Sequence, residues 1–96
     1  MRESIIEKHL VKRVKELGGE VRKVKWIGRR GAPDRLVMLP HQNGKWAWRQ
    51  RSVWVELKAT GIKAEAHQLR EHERMRHMGQ AVVVIDSIEG VEWLLS

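Results

Sequence analysis

Val53-Trp54-Val55-Glu56-Leu57-Lys58 is the stretch that decides the fold, read with Gly31-Ala32-Pro33-Asp34-Arg35 upstream of it. The first segment is mostly apolar and β-branched, the local signal for a strand. Side chains alternate faces along a strand, so Glu56 and Lys58 point the same way. Charges near the end of an apolar strand are costly unless they are paired or bind a metal. Asp34 opens a second apolar run, Arg35 to Leu39. If the two runs pair antiparallel, Asp34, Glu56 and Lys58 converge on one spot. Two carboxylates and a lysine there suit a divalent cation and the water it activates. Each motif also has a plain structural explanation. Pro-Asp is a common turn pair, and an exposed Glu-x-Lys pair is worth under ~1 kcal/mol. Their combination, in order and with helices in the right places, favours an active site.

The pairing register tests this convergence. Asn43-Gly44 is a hairpin signal. A two-residue turn there would place Asp34 opposite Val53 and leave Glu56 roughly 10 Å farther along the strand. Asp34 facing Glu56 instead requires a bulge or a wider loop within residues 40–52, where Gln50-Arg51-Ser52 looks least strand-like. Trp46 and Trp48 share a face near that tip. They could meet a second subunit, cover the sheet or stack on bases.

The chain has 96 residues, the size of one domain, and its apolar share suffices for one core. No apolar run is long enough to span a membrane, and no secretion signal is visible. There is no cysteine, which excludes disulfides and thiolate zinc sites and fits a cytoplasmic setting. The net charge of +7 is uneven. Residues 1–30 hold ten Lys/Arg against four Glu, whereas residues 59–96 hold four against six acids. A basic first half points to a polyanion, most often nucleic acid.

Residues 4–17 read as an amphipathic helix with Ile6, Leu10, Val11, Val14 and Leu17 in one arc. Glu3 and Glu7 fall inside that arc, an unusual place for carboxylates. Either one of them borders the active site, or Ser4 and Glu7 form a capping box. Gly18-Gly19 ends the helix. Glu20 to Ile27 alternates as a strand, and Gly28-Arg29-Arg30-Gly31 is a loop suited to phosphate contact. A second helix covers residues 64–78, with Ala64, Gln68, His72 and Met75 on its inner arc. Gln68 there could reach the active site or bond a nearby backbone group. His67, His72 and His77 step by about 140° and share no face, so they form no metal site. Ala81 to Ile85 is a continuous apolar run, the pattern of a strand buried on both faces. Asp86-Ser87 caps a last helix over residues 88–95. The order is α-β-β-β-α-β-α, with no repeat or linker.

Gly31-Ala32-Pro33-Asp34-Arg35, Val55-Glu56-Leu57-Lys58-Ala59, Gln68 and the Gly79-then-strand ending together resemble the VRR-Nuc domain, a branch of the PD-(D/E)XK nucleases. The resemblance spans essentially residues 1–96, read as one standalone domain of the kind found in bacteriophages and bacteria. It implies an α/β, restriction-endonuclease-like core with a mixed central sheet flanked by helices. It implies that Asp34 and Glu56 bind Mg²⁺ or Mn²⁺, completed by the Leu57 backbone carbonyl. Lys58 would orient or deprotonate the attacking water, and Gln68 and Glu7 would match further active-site positions. Lys23, Lys25, Arg29 and Arg30, with Arg35, would hold the DNA backbone. The implied activity is metal-dependent DNA cleavage by a homodimer on branched DNA such as Holliday junctions, within the bacterial host cell if phage-encoded. The alternatives are a nuclease for flaps, nicks or plain duplex, or a DNA-binding module that does not cut.

Overall fold

The computed structural model describes residues 1–40 and 52–96. Its elements run α1 (Glu3–Glu16), β1 (Glu20–Lys23), β2 (Arg35–Met38), β3 (Ser52–Leu57), α2 (Ala66–His77), β4 (Val82–Ile85) and α3 (Ile88–Leu95). This is the order expected from the pattern, with the first strand stopping at Lys23 rather than Ile27. The sheet order is β1-β2-β3-β4. The first two neighbouring pairs are antiparallel and β3-β4 is parallel. A mixed sheet follows from the connections, since a short link can join antiparallel strands while β3 to β4 needs the α2 crossover.

The core forms on one face of the sheet. Ile6, Leu10 and Val14 recur every fourth residue of α1, and all three are fully buried. They pack with Val37 of β2, Val53, Val55 and Leu57 of β3, Val83 and Ile85 of β4, and Val91, Leu94 and Leu95 of α3. Burying each such side chain contributes roughly 1.5–3 kcal/mol. Glu92 of α3 accepts from Arg13 at 3.0 Å and meets His9 at 2.7 Å, which ties α3 to α1. The turn after α1 comes so close to β2 that a Cβ on Gly19 would overlap the Met38 carbonyl oxygen. Only glycine fits there.

Alternation sends Trp54 and Glu56 to the opposite face, where α2 lies with His72 and Met75 buried. Trp26 and Trp54 pack there with ring centroids 5.2 Å apart. Each indole N–H has a partner, the Pro33 carbonyl for Trp26 and Gln80 for Trp54.

One expectation is corrected and a second is met with one exception. The Ser4–Glu7 capping box does not form. The helix starts at Glu3 behind Arg2, without a side-chain cap, because the Glu7 carboxylate is drawn to Arg35 instead. The apolar run Ala81–Ile85 is buried on both faces, Val82 on one and Val83 and Ile85 on the other, with Val84 as the exception. β4 is an edge strand and Val84 is exposed. The proposed loop within 40–52, the Asn43-Gly44 turn and the Trp46/Trp48 face lie outside the described residues, apart from Pro40 and from Ser52, which opens β3.

Candidate active site

The register of β2 against β3 brings the site together. Arg35 pairs with Val55, Leu36 with Trp54, Val37 with Val53 and Met38 with Ser52. Continued by one residue, this ladder sets Asp34 opposite Glu56. It is not the register that a two-residue turn at Asn43-Gly44 would impose. Glu56 lies one residue before the strand ends at Leu57 and Lys58 one residue after it, and alternation puts both on the same face. The backbone N–H of Lys58 donates to Ile85 at 3.0 Å, so β4 holds the chain in line past Glu56.

Electrostatics sets Glu56 apart. Its side chain is only 12% exposed. Burial pushes its carboxyl up to about 7; Lys58 and Arg35 oppose this, while Asp34 and Glu3 add to it. Burial therefore leaves the ionised Glu56 short of the hydration it would have in water. A divalent cation would offset that cost, and both donors are the hard oxygens that Mg²⁺ or Mn²⁺ accept. Among the described residues no cluster of three or more His, Cys, Asp and Glu forms. Two carboxylates are nevertheless what a Mg²⁺ site typically takes from protein, with water and phosphate filling the rest.

Arg35 binds the two carboxylates beside the site. It pairs with Asp34 at 2.7 Å and with Glu7 of α1. Its own side chain is 8% exposed. Arg35 thus holds Asp34 and is itself nearly buried, which leaves little of it for the DNA contact expected of it. Glu7 reaches the site through Arg35, while the charge of Glu3 acts on Glu56. Gln68 sits three residues inside α2 and accepts from the Glu65 N–H at 2.8 Å. Its oxygen therefore bonds a nearby backbone group, at the helix N-terminus.

The basic residues divide by position. Lys23, Lys25 and Arg29 line a groove of about 590 Å³ together with Trp26 and Asp34. Arg30 is exposed on the adjoining loop. Arg29 is also anchored, because Glu71 of α2 accepts two hydrogen bonds from it at 2.9 and 2.8 Å. Arg74 adds to the same carboxylate. The Arg29 hydrogen bonds foremost bring Glu71 down to about 2, against the upward push of its burial. Gly31 has a φ of +84° and lies against the His67 carbonyl, where a Cβ would come within 3.0 Å. The loop is therefore seated on the start of α2.

Sequence reasoning missed Glu71 as a buried residue. The signal was present, since at ~100° per residue it lies only ~60° from Gln68 on the inner arc. His72 was placed on that arc but given no role. It is fully buried, its Nε2 lies 3.6 Å from Glu56 Oε1, and neither ring nitrogen has a hydrogen-bond partner among the described residues. Burial, then the nearby Arg76 charge, lowers its pKa and favours the neutral ring.

No family model matches the chain. A protein named "Putative nuclease p44", from Acyrthosiphon pisum secondary endosymbiont phage 1, is 49% identical over 87 residues, covering 91% of this chain and 85% of that one. A solved structure described as a VRR-Nuc domain has a TM-score of 0.76 and 42% identity, covering 94% of this chain and 89% of that chain.

Proposed function

The chain belongs to the VRR-Nuc family of nucleases, and on that premise we propose that it is a metal-dependent DNA endonuclease acting at Asp34, Glu56 and Lys58. The observation that carries the reading is the β2–β3 register, which continues to Asp34 opposite Glu56 beside a groove lined by Lys23, Lys25 and Arg29.

Asp34 and Glu56 would hold the ion, with the Leu57 carbonyl as a further oxygen donor. When bound, Mg²⁺ or Mn²⁺ supplies a more acidic water and positive charge against the phosphate. Lys58 places its ammonium on the same face, where it orients the attacking water and offsets charge on the scissile phosphate. Arg35 keeps Asp34 in position and is itself held by Glu7. Lys23, Lys25, Arg29 and Arg30 bind the DNA backbone, which fixes register without reading sequence. Gln68 borders the site from α2.

The substrate we favour is branched DNA such as a four-way junction, cut by a homodimer. Two sites related by a two-fold axis can nick two strands symmetrically. Leu69 on α2 and Met78 just past its end leave apolar surface that a second copy could cover, 49% and 68% exposed. Flaps, nicks and plain duplex are the alternative substrates within the same chemistry, since shape selectivity resides in the surface around the site.

The test is cleavage of a labelled four-way junction and a matched linear duplex, with Mg²⁺, Mn²⁺ or EDTA, by wild type and Lys58→Ala. Metal-dependent, paired nicking of the junction, lost in the variant, supports the full reading. Equal cutting of both substrates keeps the nuclease and removes the junction preference. Tight binding without cleavage under either metal overturns the enzyme.

A further inference from the structure

His72 is the polar residue of the interior that the chemistry above leaves unused. It belongs to α2, its side chain is fully buried, and both ring nitrogens lack partners among the described residues. Leaving a buried polar atom unpaired costs roughly 1–3 kcal/mol, so such atoms call for an explanation. Packing does not supply one. Met75, three residues on, fills the same interface with an apolar side chain, and a phenyl ring would occupy the imidazole volume without the cost.

The geometry does supply one. Nε2 of His72 stands 3.6 Å from Oε1 of Glu56. That is too long for a hydrogen bond, and a closure of less than 1 Å would make one. Hydrogen bonds in catalytic sites are often long before ligands bind and tighten afterwards. The neutral imidazole carries one N–H and one acceptor nitrogen. With the proton on Nε2, it can donate to the ionised carboxylate.

We propose that His72 is a positioning residue for Glu56, its Nε2–H closing onto Oε1 so that Oε2 is presented toward Asp34. This rests on the reading that Asp34 and Glu56 hold the ion. His72 touches neither substrate nor metal; it acts through the carboxylate. A carboxylate on one hydrogen bond has one orientation instead of several, so less freedom is lost when a cation binds. Outer hydrogen bonds of this kind are typically worth about 10- to 100-fold in metal affinity. The placement also explains why the cost of an unpartnered histidine is tolerated at this point of α2, since its partner is completed only in the loaded site.

The experiment measures Mn²⁺ affinity by calorimetry and by the electron paramagnetic resonance of free Mn²⁺. Wild type, His72→Phe, His72→Gln and Glu56→Gln are compared, each with its thermal midpoint in the absence of metal. Phenylalanine keeps the volume and removes the donor; glutamine places an amide N–H near the Nε2 position. The expected result is Mn²⁺ binding about 10-fold or more weaker in His72→Phe and largely restored in His72→Gln. Glu56→Gln should lose it. If Glu56→Gln binds Mn²⁺ as wild type does, the ion site itself is wrong. If Glu56→Gln loses the ion while His72→Phe binds as tightly as wild type, the positioning role is wrong and the site stands. A nitrogen-15 spectrum of wild type with Mg²⁺ needs no variant to fold. A protected proton on Nε2 supports the proposal, and a ring protonated on Nδ1 alone overturns it.

Discussion

Arg29 and Glu71, 42 residues apart in the chain, are joined by hydrogen bonds of 2.9 and 2.8 Å. The loop between Gly28 and Gly31, whose two arginines suit phosphate contact, is thereby fastened to α2. Its cation faces the groove that leads to Asp34. Binding and scaffold are shared by one side chain, and the buried partner is an acid.

Glu71 therefore gives the fold an acid limit. Its carboxyl is lowered from 4.5 to about 2 in the folded protein, so its contribution is fully present above pH 4.5 and is lost as pH falls toward 2. Glu71→Gln should lower the urea midpoint at pH 7. The gap between variant and wild type should narrow steadily as pH falls from 4.5 to 2. A gap that stays constant over that range would show that Glu71 is not held ionised.

Arg35 sits between Glu7 and Asp34. Replacing it with methionine keeps bulk but leaves two carboxylates without their shared counter-charge. We expect a loss of about 1–3 kcal/mol in urea unfolding at pH 7. The same variant should retain the wild-type salt dependence of DNA binding, since Arg35 is nearly buried. A clear drop in that salt slope would restore Arg35 to the DNA surface.

Lys23 and Lys25 line the groove beside Asp34. Each alanine variant should weaken binding to all DNA sequences alike and reduce the slope of log affinity against log salt by about one. Binding is measured by fluorescence anisotropy in EDTA, so that cleavage does not intervene. An unchanged slope in both variants would place the DNA on another face.

Leu10 is fully buried where α1 meets the sheet. Leu10→Ala should cost about 2–5 kcal/mol in chemical unfolding. Gly19→Ala should destabilise for a different reason, the overlap of its new Cβ with the Met38 carbonyl. Circular dichroism during urea titration separates both from wild type. A Gly19→Ala protein with an unchanged midpoint would mean that the α1–β1 turn can shift away from β2.

The sequence by itself determined the elements and their order. Apolar spacing of four along α1, alternation along β3 and glycines after helices are local signals, and each element follows from its own residues. It also determined the face shared by Glu56 and Lys58, because alternation needs no tertiary information. The register was legible only as a condition: Asp34 could meet Glu56 only if the β2–β3 connection were not a two-residue turn. The structure meets that condition in the ladder from Arg35–Val55 to Met38–Ser52.

Tertiary structure alone decided which charged groups pair across elements. Glu7 could cap its own helix or reach across to another element, and local spacing favoured neither. Packing α1 on the sheet brought Arg35 within reach, and the guanidinium took the carboxylate. Arg29 and Glu71 meet for the same reason, as do His72 and Glu56. Long side chains find their partners across elements distant in the chain, and their burial depends on what the other elements leave open. No periodicity within one helix or strand contains that information.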